Sequence, residues 1–539
     1  MDDQGTSEKA PGQQPIARLV MTAFAIGLLA SFANLLNHHH YPVFTAEVGL
    51  VAAVLLIVAL LLTGLHRLAQ PRLAFLITAL VSAIIIDLGT DMPNTVFPLT
   101  VVGLAAIAWW REQVVLKLMA AAFSSVLLFQ IIDIPKTSSE AVPLANEAKN
   151  LQNPATRNAQ LRPIVHLILD SCIGLDGMTA LGTNFGNLRQ EQEQFYLSNG
   201  FQLYPGAYSR HAKTINALPE LLSYGQAARA TEPRNVQITQ APSLAYFNDL
   251  DQAGFRTSAL TPSFVNFCPN QILSECQNYN RSDLAVLAAS ELAVSDKALV
   301  IGATMLELSQ FTALMGGLMD EQLGQLRRST GRHLYNRAKL YSLTGLSRID
   351  AVTADLANLH FGEARVIHLL LPHDPYVVSR DCHLLPEPDW KDEHGTASFA
   401  VRDAAYAEQA HCMTETRIAA LLKALDQTEA GRAAIVIIHG DHGSRTLNGV
   451  PSSLAGTPDP RSMAVTYSAF FAIRVPGETP TLVPGQFALD ELVGAFAATH
   501  FSAAPRPQER PAQVWLMDNN WIPARTIPLP RFVQKFSKN

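Results

Sequence analysis

The stretch Val436-Ile437-Ile438-His439-Gly440-Asp441-His442-Gly443 decides the fold class of the second part of this chain. An apolar run from Ala433 to Ile438 ends abruptly in an Asp-His pair between two glycines. A short run of β-branched residues predicts a buried strand, and glycine at its end permits a tight turn. Ligands in open α/β sheets bind at the carboxyl ends of strands, so Asp441 and His442 are candidate site residues. A carboxylate beside an imidazole is a typical beginning of a divalent-metal site.

The first quarter of the chain contains five apolar segments, in a protein of 539 residues that is 48% hydrophobic and 16% charged. They are Ile16–Leu36, Val48–Leu65, Leu73–Leu88, Val96–Trp110 and Val114–Ile132. A bilayer core of about 30 Å needs about 20 helical residues, so the third and fourth segments are short and could form one re-entrant hairpin. Helices of a soluble bundle would carry a polar stripe, which these segments lack. We predict five membrane spans, with four or six as the alternatives.

Basic residues mark one side of the predicted membrane part. They are Lys9, Arg18, Arg67, Arg72, Arg111 and Lys117, whereas the loops Asn37–Glu47 and Gly89–Thr95 contain no Lys or Arg. By the positive-inside rule the N-terminus is cytoplasmic, and five crossings place everything after Asp133 outside. The first span is long and lacks a small-residue cleavage site, which indicates an anchor. The net charge of −6 gives no indication of nucleic-acid binding.

A change in composition ends the membrane part. Residues 134–162 are rich in Pro, Ser, Asn and Ala without periodicity, which predicts a linker between a membrane domain, 1–133, and an outer domain, 163–539. The outer domain has five strand-like runs: Ile164–Leu169, Arg256–Leu260, Val366–Leu371, Ala433–Ile438 and Ser468–Val475. These runs alternate with helical patterns such as Tyr406–Leu425. The predicted fold is therefore an N-terminal α-helical membrane domain followed by an α/β domain with a mainly parallel sheet.

Two further residues are candidates for the same site as Asp441 and His442. Asp170 directly follows the strand-like run Ile164–Leu169, although a helix-capping Asp is the usual explanation of such a residue. Thr214 opens an apolar helical run and follows two basic residues, Arg210 and Lys213. It is either a plain N-cap or a nucleophile whose anionic substrate is held by the helix end and the nearby cations.

Two histidines belong to the strand-like run Val366–Leu371 and the turn that follows it. His368 lies within the apolar run and is interpreted as a core histidine. His373 lies in a turn between two prolines at the same predicted edge of the sheet. We favour a substrate-phosphate or second-metal role for His373 over that of an ordinary loop histidine.

Together these residues resemble a known family. The order of Asp at the first strand end, Thr 44 residues later (214 − 170), a His-Pro turn and then Asp-His-Gly is similar to that of the alkaline phosphatase superfamily. The closest similarity is to its membrane-anchored sulfatase-like branch, which includes lipoteichoic acid synthases and phosphoethanolamine transferases. Those proteins also place about five spans before an extracytoplasmic catalytic domain. The resemblance thus implies a multi-pass protein of the bacterial inner (cytoplasmic) membrane, with its catalytic domain in the periplasm or outside.

The resemblance also implies a metal centre and a substrate site. One divalent ion, zinc or manganese, would be held by Asp170, Thr214, Asp441 and His442, and a second ion is left open. The substrate-binding residues would be His373, Lys213 and Arg210. Two positions depart from the transferases, since Asp170 replaces a usual Glu and Gly440 replaces a usual Ser. We expect the Gly440 departure to bear on the choice of substrate.

The activity that the resemblance implies is metal-dependent transfer of a phospho-headgroup. The group, of phosphoethanolamine or phosphoglycerol type, would pass from a phospholipid donor to an envelope glycan or lipid acceptor through a phosphothreonine at Thr214. The alternatives are a sulfatase-like phosphodiesterase or sulfate-ester hydrolase, and a non-catalytic membrane binding or assembly protein. A sulfatase needs Cys or Ser in a Cys/Ser-x-Pro-x-Arg setting, which Thr214–Leu218 does not supply. The intact set of four ligand residues argues against a non-catalytic role.

The chain contains five cysteines, and they fit an oxidising compartment. The resemblance favours two disulfides in the outer domain, Cys268–Cys276 and Cys382–Cys412. The sequence alone permits other pairings. With these pairs, Cys172 is predicted to be a buried free thiol.

Overall fold

The computed structural model describes residues 13–69, 73–90, 92–93, 95–132, 160–181, 183–226, 239–240, 243–307, 309–311, 339–392, 397–446, 458–501, 510–518 and 522–532. The chain divides into two compact units. Met1–Glu140 and Leu284–Ala338 form the first, and Ala141–Asp283 and Lys339–Asn539 form the second. The predicted linker 134–162 lies almost wholly outside the described residues, so the predicted domain boundaries stay predictions.

Four helices cover the five apolar segments of the first unit: α1 Gln13–His38, α2 Ala46–Ala69, α3 Ala74–Thr90 and α4 Val96–Ile132. Helix α4 contains the last two segments, and it is interrupted between them because Arg111 has non-helical angles (φ −146°, ψ 51°). Three helices are long and apolar enough to cross a membrane, whereas α3 has 17 residues. Five spans therefore stay a prediction.

The first unit also includes a segment that lies far from α1–α4 in the sequence. The helix Val294–Glu307 packs against α2. In α3 the fully buried Asp87 accepts a hydrogen bond from the backbone N–H of Gln310 at 2.6 Å. A buried carboxylate in an apolar helix is costly unless it is hydrogen-bonded. The described residues of 284–311 thus interrupt the second unit in sequence and group with the apolar helices of the first.

Strands dominate the second unit. In chain order they are β1 Ile164–Leu169, β2 Gln202–Leu203, β3 Gly206–Tyr208, β4 Thr239–Gln240, β5 Arg256–Pro262, β6 Val265–Asn266, β7 Glu275–Tyr279, β8 Glu363–Leu369, β9 Ile435–Gly440, β10 Phe471–Arg474, β11 Thr481–Leu482, β12 Gln486–Ala488, β13 Gln513–Met517 and β14 Pro523–Pro528. Eight form one sheet in the order β11-β2-β10-β9-β1-β8-β5-β7. All neighbours in it are parallel except β10, which is antiparallel to β9 and β2. The predicted mainly parallel sheet is confirmed.

Helices connect these strands. They are Leu175–Met178, Thr183–Ser198, Thr214–Leu222, Ala245–Gln252, Tyr341–Asp355, Phe399–Cys412, Ala419–Leu425, Glu429–Ala433, Pro460–Tyr467 and Leu489–His500. The predicted helix Tyr406–Leu425 corresponds to the end of Phe399–Cys412, a π-helical turn Met413–Ile418 and Ala419–Leu425. Strand β7 was not predicted, because Glu275–Tyr279 carries mostly polar residues.

The register of the three central strands positions the candidate site. Leu169 at the end of β1 pairs with Leu369 of β8 and Gly440 of β9. β1 and β9 are buried on both faces, and their side chains divide between two hydrophobic clusters. Each fully buried Leu, Ile or Val contributes about 1.5–3 kcal/mol. This burial holds the register, and therefore the residues that follow the three strands lie side by side.

Candidate metal and active site

Two carboxylates and one imidazole meet where β1 and β9 end. Asp170, Asp441 and His442 each offer a ligand atom, and these three atoms lie within 4.8 Å of one another. The backbone N–H of Asp441 donates to the carbonyl of Leu169 at 3.2 Å, so parallel pairing of the strands continues to the site. All three side chains are buried. The structure thus brings together three of the four predicted metal ligands in one group.

The turn after β1 holds both carboxylates in place. Ser171 has a positive φ of 63°, which a non-glycine residue adopts rarely and at a cost. In this conformation its N–H donates to Asp441 Oδ1 at 3.0 Å, and its hydroxyl donates to Asp170 Oδ1 at 3.0 Å. The hydroxyl of Tyr406 donates to the carbonyl of Ser171 at 3.1 Å and accepts from the N–H of Ile173 at 3.0 Å. Tyr406 therefore supports the turn from a helix distant in sequence.

The donor atoms of this group fit a divalent cation. His442 Nδ1 lies 2.6 Å from the carbonyl of Gly443, so Nδ1 carries the proton and Nε2 carries the lone pair. Asp441 Oδ2 is buried and has no hydrogen-bond partner among the described residues. An unpartnered buried carboxylate oxygen beside an imidazole lone pair is the arrangement that a metal ion satisfies. The group Asp170, Asp441 and His442 could hold one ion.

The electrostatics agree with that assignment. Burial, followed by repulsion from Asp441, raises the pKa of Asp170 to about 7. Burial alone would raise the pKa of Asp441, but His442 and His368 outweigh it and hold that pKa below its ordinary value. Burial lowers the pKa of His442 to about 4 despite the attraction of Asp441, so the imidazole is neutral at neutral pH. Two carboxylates this close repel each other unless a proton or a cation lies between them.

Thr214 completes the predicted ligand set. It is the first residue of the helix Thr214–Leu222, as predicted. Its Oγ1 lies 3.3 Å from Asp170 Oδ2 and 3.4 Å from His442 Nε2. The side chain is buried, and the positive end of the helix dipole favours an anionic group there. The hydroxyl therefore lies against Asp170 and His442, and it also helps to lower the pKa of Asp441.

His373 lies in the turn after β8, between Pro372 and Pro375. Its Nδ1 donates to the carbonyl of Asp374 at 2.7 Å and lies 3.0 Å from Asp374 Oδ1, so the lone pair of the neutral ring is on Nε2. The charge of His373 lowers the pKa values of Asp170 and His442, which indicates that it lies near the metal group. The turn is held by Gln409, whose Nε2 donates to the His373 carbonyl at 3.1 Å.

His368 lies closer to the candidate metal group than its position in the sequence indicates. It is fully buried, and neither ring nitrogen has a hydrogen-bond partner among the described residues. Its Nε2 lies 3.8 Å from Asp170 Oδ2. Burial lowers the pKa of His368 to about 4. His368 is therefore a core residue, as interpreted, but its ring is not satisfied by hydrogen bonds among the described residues. The sequence gives no signal of this difference, because His368 occupies an ordinary apolar run.

The basic residues around Thr214 separate into two groups. Lys213 immediately precedes Thr214, and burial together with the charge of Arg445 lowers its pKa to about 7. Arg445 Nη2 lies 3.1 Å from His442 Nε2 and donates to the carbonyl of Ala212 at 3.0 Å. The sequence reasoning missed Arg445, although it stands only three positions after His442.

Arg210 has other partners. Its guanidinium forms ion pairs with Asp490 at 3.1 Å and Glu491 at 2.6 Å, and it also donates to the carbonyl of Pro511 at 3.2 Å. The cation that was predicted to bind substrate is therefore engaged by the start of the helix Leu489–His500. The acidic pair Asp490-Glu491 lies almost 300 residues from Arg210, so its proximity could not be read from the local sequence.

Gly440 and Cys172 lie beside the site, and the other four cysteines form disulfides. A Cβ atom at position 440 would lie 2.4 Å from the carbonyl oxygen of Cys172. Cys172 itself is a buried free thiol, as predicted. Both predicted disulfides are present: Cys268–Cys276 has a Cα–Cα distance of 5.5 Å and Cys382–Cys412 one of 5.0 Å.

Comparison with known proteins finds structural similarity without close sequence similarity. No family model and no curated protein sequence matches the chain. The zinc complex of the C-terminal periplasmic domain of EcEptC from Escherichia coli matches with 14% identity and a TM-score of 0.38, over 72% of this chain and 97% of that domain. A protein of the alkaline phosphatase superfamily from Vibrio parahaemolyticus matches with 11% identity and a TM-score of 0.36, over 68% and 75% of the two chains.

A sulfatase is also among the similar structures. The 2-O GAG sulfatase BT1596 matches with 10% identity and a TM-score of 0.37, over 66% of this chain and 78% of that one. Of the three proteins, the one from Vibrio parahaemolyticus is described as a member of the alkaline phosphatase superfamily. At such identities and TM-scores, the activity has to be argued from the residues of this chain.

Proposed function

We propose that this protein transfers a phospho-headgroup of the phosphoethanolamine or phosphoglycerol type from a membrane lipid to a glycan or lipid acceptor of the cell envelope. The observation that carries the proposal is the position of Thr214 Oγ1, 3.3 Å from Asp170 Oδ2 and 3.4 Å from His442 Nε2. A buried hydroxyl at the start of a helix, beside a carboxylate and next to cations, has the surroundings of a nucleophile for phosphoryl groups.

Four residues would hold one divalent cation: Asp170, Thr214, Asp441 and His442. Their carboxylate, hydroxyl and imidazole groups suit zinc or manganese. A cation held there supplies charge that neutralises phosphate oxygens and lowers the pKa of a hydroxyl. Lys213 adds a positive charge beside the nucleophile when it is protonated, and His373 lies near enough to influence the pKa values of Asp170 and His442.

In the first half-reaction, Thr214 Oγ1 attacks the phosphorus of the donor phosphodiester. The new bond joins Oγ1 to phosphorus, and the bond between phosphorus and the oxygen of the lipid alcohol breaks. The proton of Thr214 passes toward Asp170 Oδ2, which lies 3.3 Å away. His373, whose imidazolium form is stabilised by Asp374 at 3.0 Å, gives a proton to the departing alcohol oxygen.

The second half-reaction returns the enzyme to its starting state. A hydroxyl of the acceptor attacks the phosphothreonine and gives its proton to His373 Nε2. The bond between Thr214 Oγ1 and phosphorus breaks, and the threonine oxygen recovers its proton from Asp170. The headgroup phosphate is then a diester of the acceptor, and no proton is gained or lost overall.

The apolar helices support a lipid donor. Three helices of the first unit are long and apolar enough to cross a membrane. A chain anchored in this way remains at the bilayer, where phospholipid donors are concentrated. This anchoring favours transfer from a lipid over reaction with a freely diffusing ester.

The test is mass spectrometry of the full-length protein, purified in detergent, loaded with zinc and incubated with headgroup-labelled phospholipid without an acceptor. We expect the peptide that contains Thr214 to gain the mass of the headgroup phosphate. Thr214→Ala should lose this adduct and reduce turnover by about four orders of magnitude, because the nucleophile is removed. The matched control is Thr499→Ala, a threonine on an exposed position of the helix Leu489–His500.

Two results would contradict the proposal. Turnover that persists in Thr214→Ala would show that another group or water attacks the substrate directly. A labelled Thr214 whose headgroup passes only to water, with every tested glycan and lipid acceptor present, would identify a phosphodiesterase instead of a transferase.

A further inference from the structure

The two N–H bonds of Arg445 Nη2 have separate acceptors beside the nucleophile. One points to the carbonyl oxygen of Ala212 at 3.0 Å, two residues before Thr214. The other points to His442 Nε2 at 3.1 Å. Because His442 Nδ1 donates to the Gly443 carbonyl, Nε2 is the lone-pair nitrogen, and the guanidinium is the donor in this contact.

The same lone pair is the one that a metal ion would use. A single lone pair cannot accept a proton from Arg445 and coordinate a cation at the same time. A metal bound by His442 must therefore displace one N–H of Nη2, while the other N–H can stay on the Ala212 carbonyl. The displaced N–H remains anchored beside Thr214, where the phosphoryl oxygens of a substrate would lie.

We propose that Arg445 is a substrate-binding residue of this site, which releases His442 Nε2 when the metal binds and then donates to a phosphoryl oxygen held at Thr214. The inference rests on the proposed function of the site. A guanidinium is the side chain best suited to this task, because it stays charged and its planar fork can reach two oxygens of one phosphate. Arg445 thereby takes the oxyanion-binding role for which the sequence had suggested Arg210.

The inference predicts that loss of Arg445 changes zinc affinity and phosphate affinity in opposite directions. Replacing Arg445 by glutamine removes a competitor for Nε2 and a positive charge near the cation, so zinc should bind more tightly, by about tenfold. The same change removes a charged donor to phosphate, so the zinc-loaded protein should bind inorganic phosphate about tenfold or more weakly. A residue with only a structural role would weaken both equilibria or change neither.

The experiment uses the full-length protein in detergent, stripped of metal, with zinc affinity measured by competition with a chelator. Inorganic phosphate is then titrated into the zinc-loaded protein by calorimetry. Arg256→Gln is the matched control, because it removes the same charge from an exposed position at the start of β5, away from the carboxyl ends of the strands. Its two affinities should equal those of the wild type.

If zinc affinity is unchanged or lower in Arg445→Gln, Arg445 does not compete with the metal for His442 Nε2. If phosphate affinity is unchanged, Arg445 does not bind substrate. If Arg445→Gln does not fold, Arg445→Lys serves instead. Lysine retains the charge but lacks the planar fork of the guanidinium. We therefore expect weaker phosphate binding with nearly wild-type zinc affinity. Wild-type phosphate binding would overturn the inference. These equilibria need no turnover, so a failure to label Thr214 would contradict the proposed transfer while the Arg445 result still stands.

Discussion

The Cβ atom of any side chain at position 440 would lie 2.4 Å from the carbonyl oxygen of Cys172, closer than real Cβ contacts occur. The neighbour is backbone of the turn after β1, which also carries Asp170 and Ser171. Neither partner can yield without moving Asp170 or Asp441, the carboxylates of the candidate metal group. The absence of a side chain at Gly440 is therefore a packing requirement of this turn, and the structure ties the departure from serine to Cys172.

Gly440→Ser should consequently damage both stability and metal binding. We expect the overpacked turn to cost about 1–3 kcal/mol of the free energy of unfolding. Zinc affinity should fall as well, because Asp441 is the next residue. Thermal unfolding and chelator competition on the full-length protein measure the two effects. Gly186→Ser is the control, since no atom beyond its chain neighbours and its own helix backbone lies within 4 Å of its Cβ position. Equal behaviour of the two variants would contradict the packing explanation.

Among elements, the helix Phe399–Cys412 connects the two turns of the site. Tyr406 bonds to the turn after β1, through the Ser171 carbonyl and the Ile173 N–H. Gln409, one helical turn later, donates to the carbonyl of His373 in the turn after β8 and accepts from Val377 N–H at 2.8 Å. At its end, Cys412 is joined to Cys382, which follows the same turn. One helix thus holds both turns of the candidate site, by two side-chain contacts and one disulfide.

The two disulfides should therefore differ in importance. In the chain-entropy model a loop of about 30 residues is worth about 4 kcal/mol, and one of about 9 residues is worth about 3 kcal/mol. Cys382→Ser with Cys412→Ser should lower the unfolding temperature more than Cys268→Ser with Cys276→Ser. The first pair of changes should also reduce turnover, because the His373 turn loses its covalent link to the helix. Equal turnover in the two double variants would contradict the role of this helix in positioning the site.

At the scale of the whole molecule, the number of membrane crossings decides on which side the site lies. Basic residues flank the apolar segments on one side, and Arg111 interrupts α4 between the last two segments. If this interruption is a turn in the membrane part, the crossings number five and the second unit is extracytoplasmic. Phospholipid and envelope acceptors would both be available on that side.

A reporter that is active only outside the cytoplasm tests this topology. Fused after Asn539, it should be active, because an odd number of crossings separates it from the cytoplasmic N-terminus. Fused to a chain truncated after Gln70, it should be inactive, because two crossings return the chain to the cytoplasm. Inactivity of the first fusion, with the protein present in the membrane, would refute the odd number of spans.

The sequence was most informative where structure depends on local pattern. The β-branched runs predicted β1 and β9, and glycine after an apolar run marked the turn that carries Asp441 and His442. The helix that begins at Thr214 was also predicted from its own residues. These features are encoded locally because side-chain periodicity and turn chemistry act over a few neighbouring residues.

Pairings across long separations could not be predicted in this way. Arg210 gave no local sign of its partners, because Asp490 and Glu491 lie almost 300 residues away along the chain. Likewise, His368 looks like a core residue until the register of β8 against β1 brings it to 3.8 Å from Asp170.

The sequence by itself determined which residues end the central strands and where the apolar helices lie, whereas the pairing of the cysteines was shown by the structure. The tertiary structure alone decided which charges reach the site, why position 440 has no side chain and that the described residues of 284–311 group with the apolar helices. The physical reason is that strand register and packing set these contacts. Both arise from burial summed over the whole core, so no single segment of the chain specifies them.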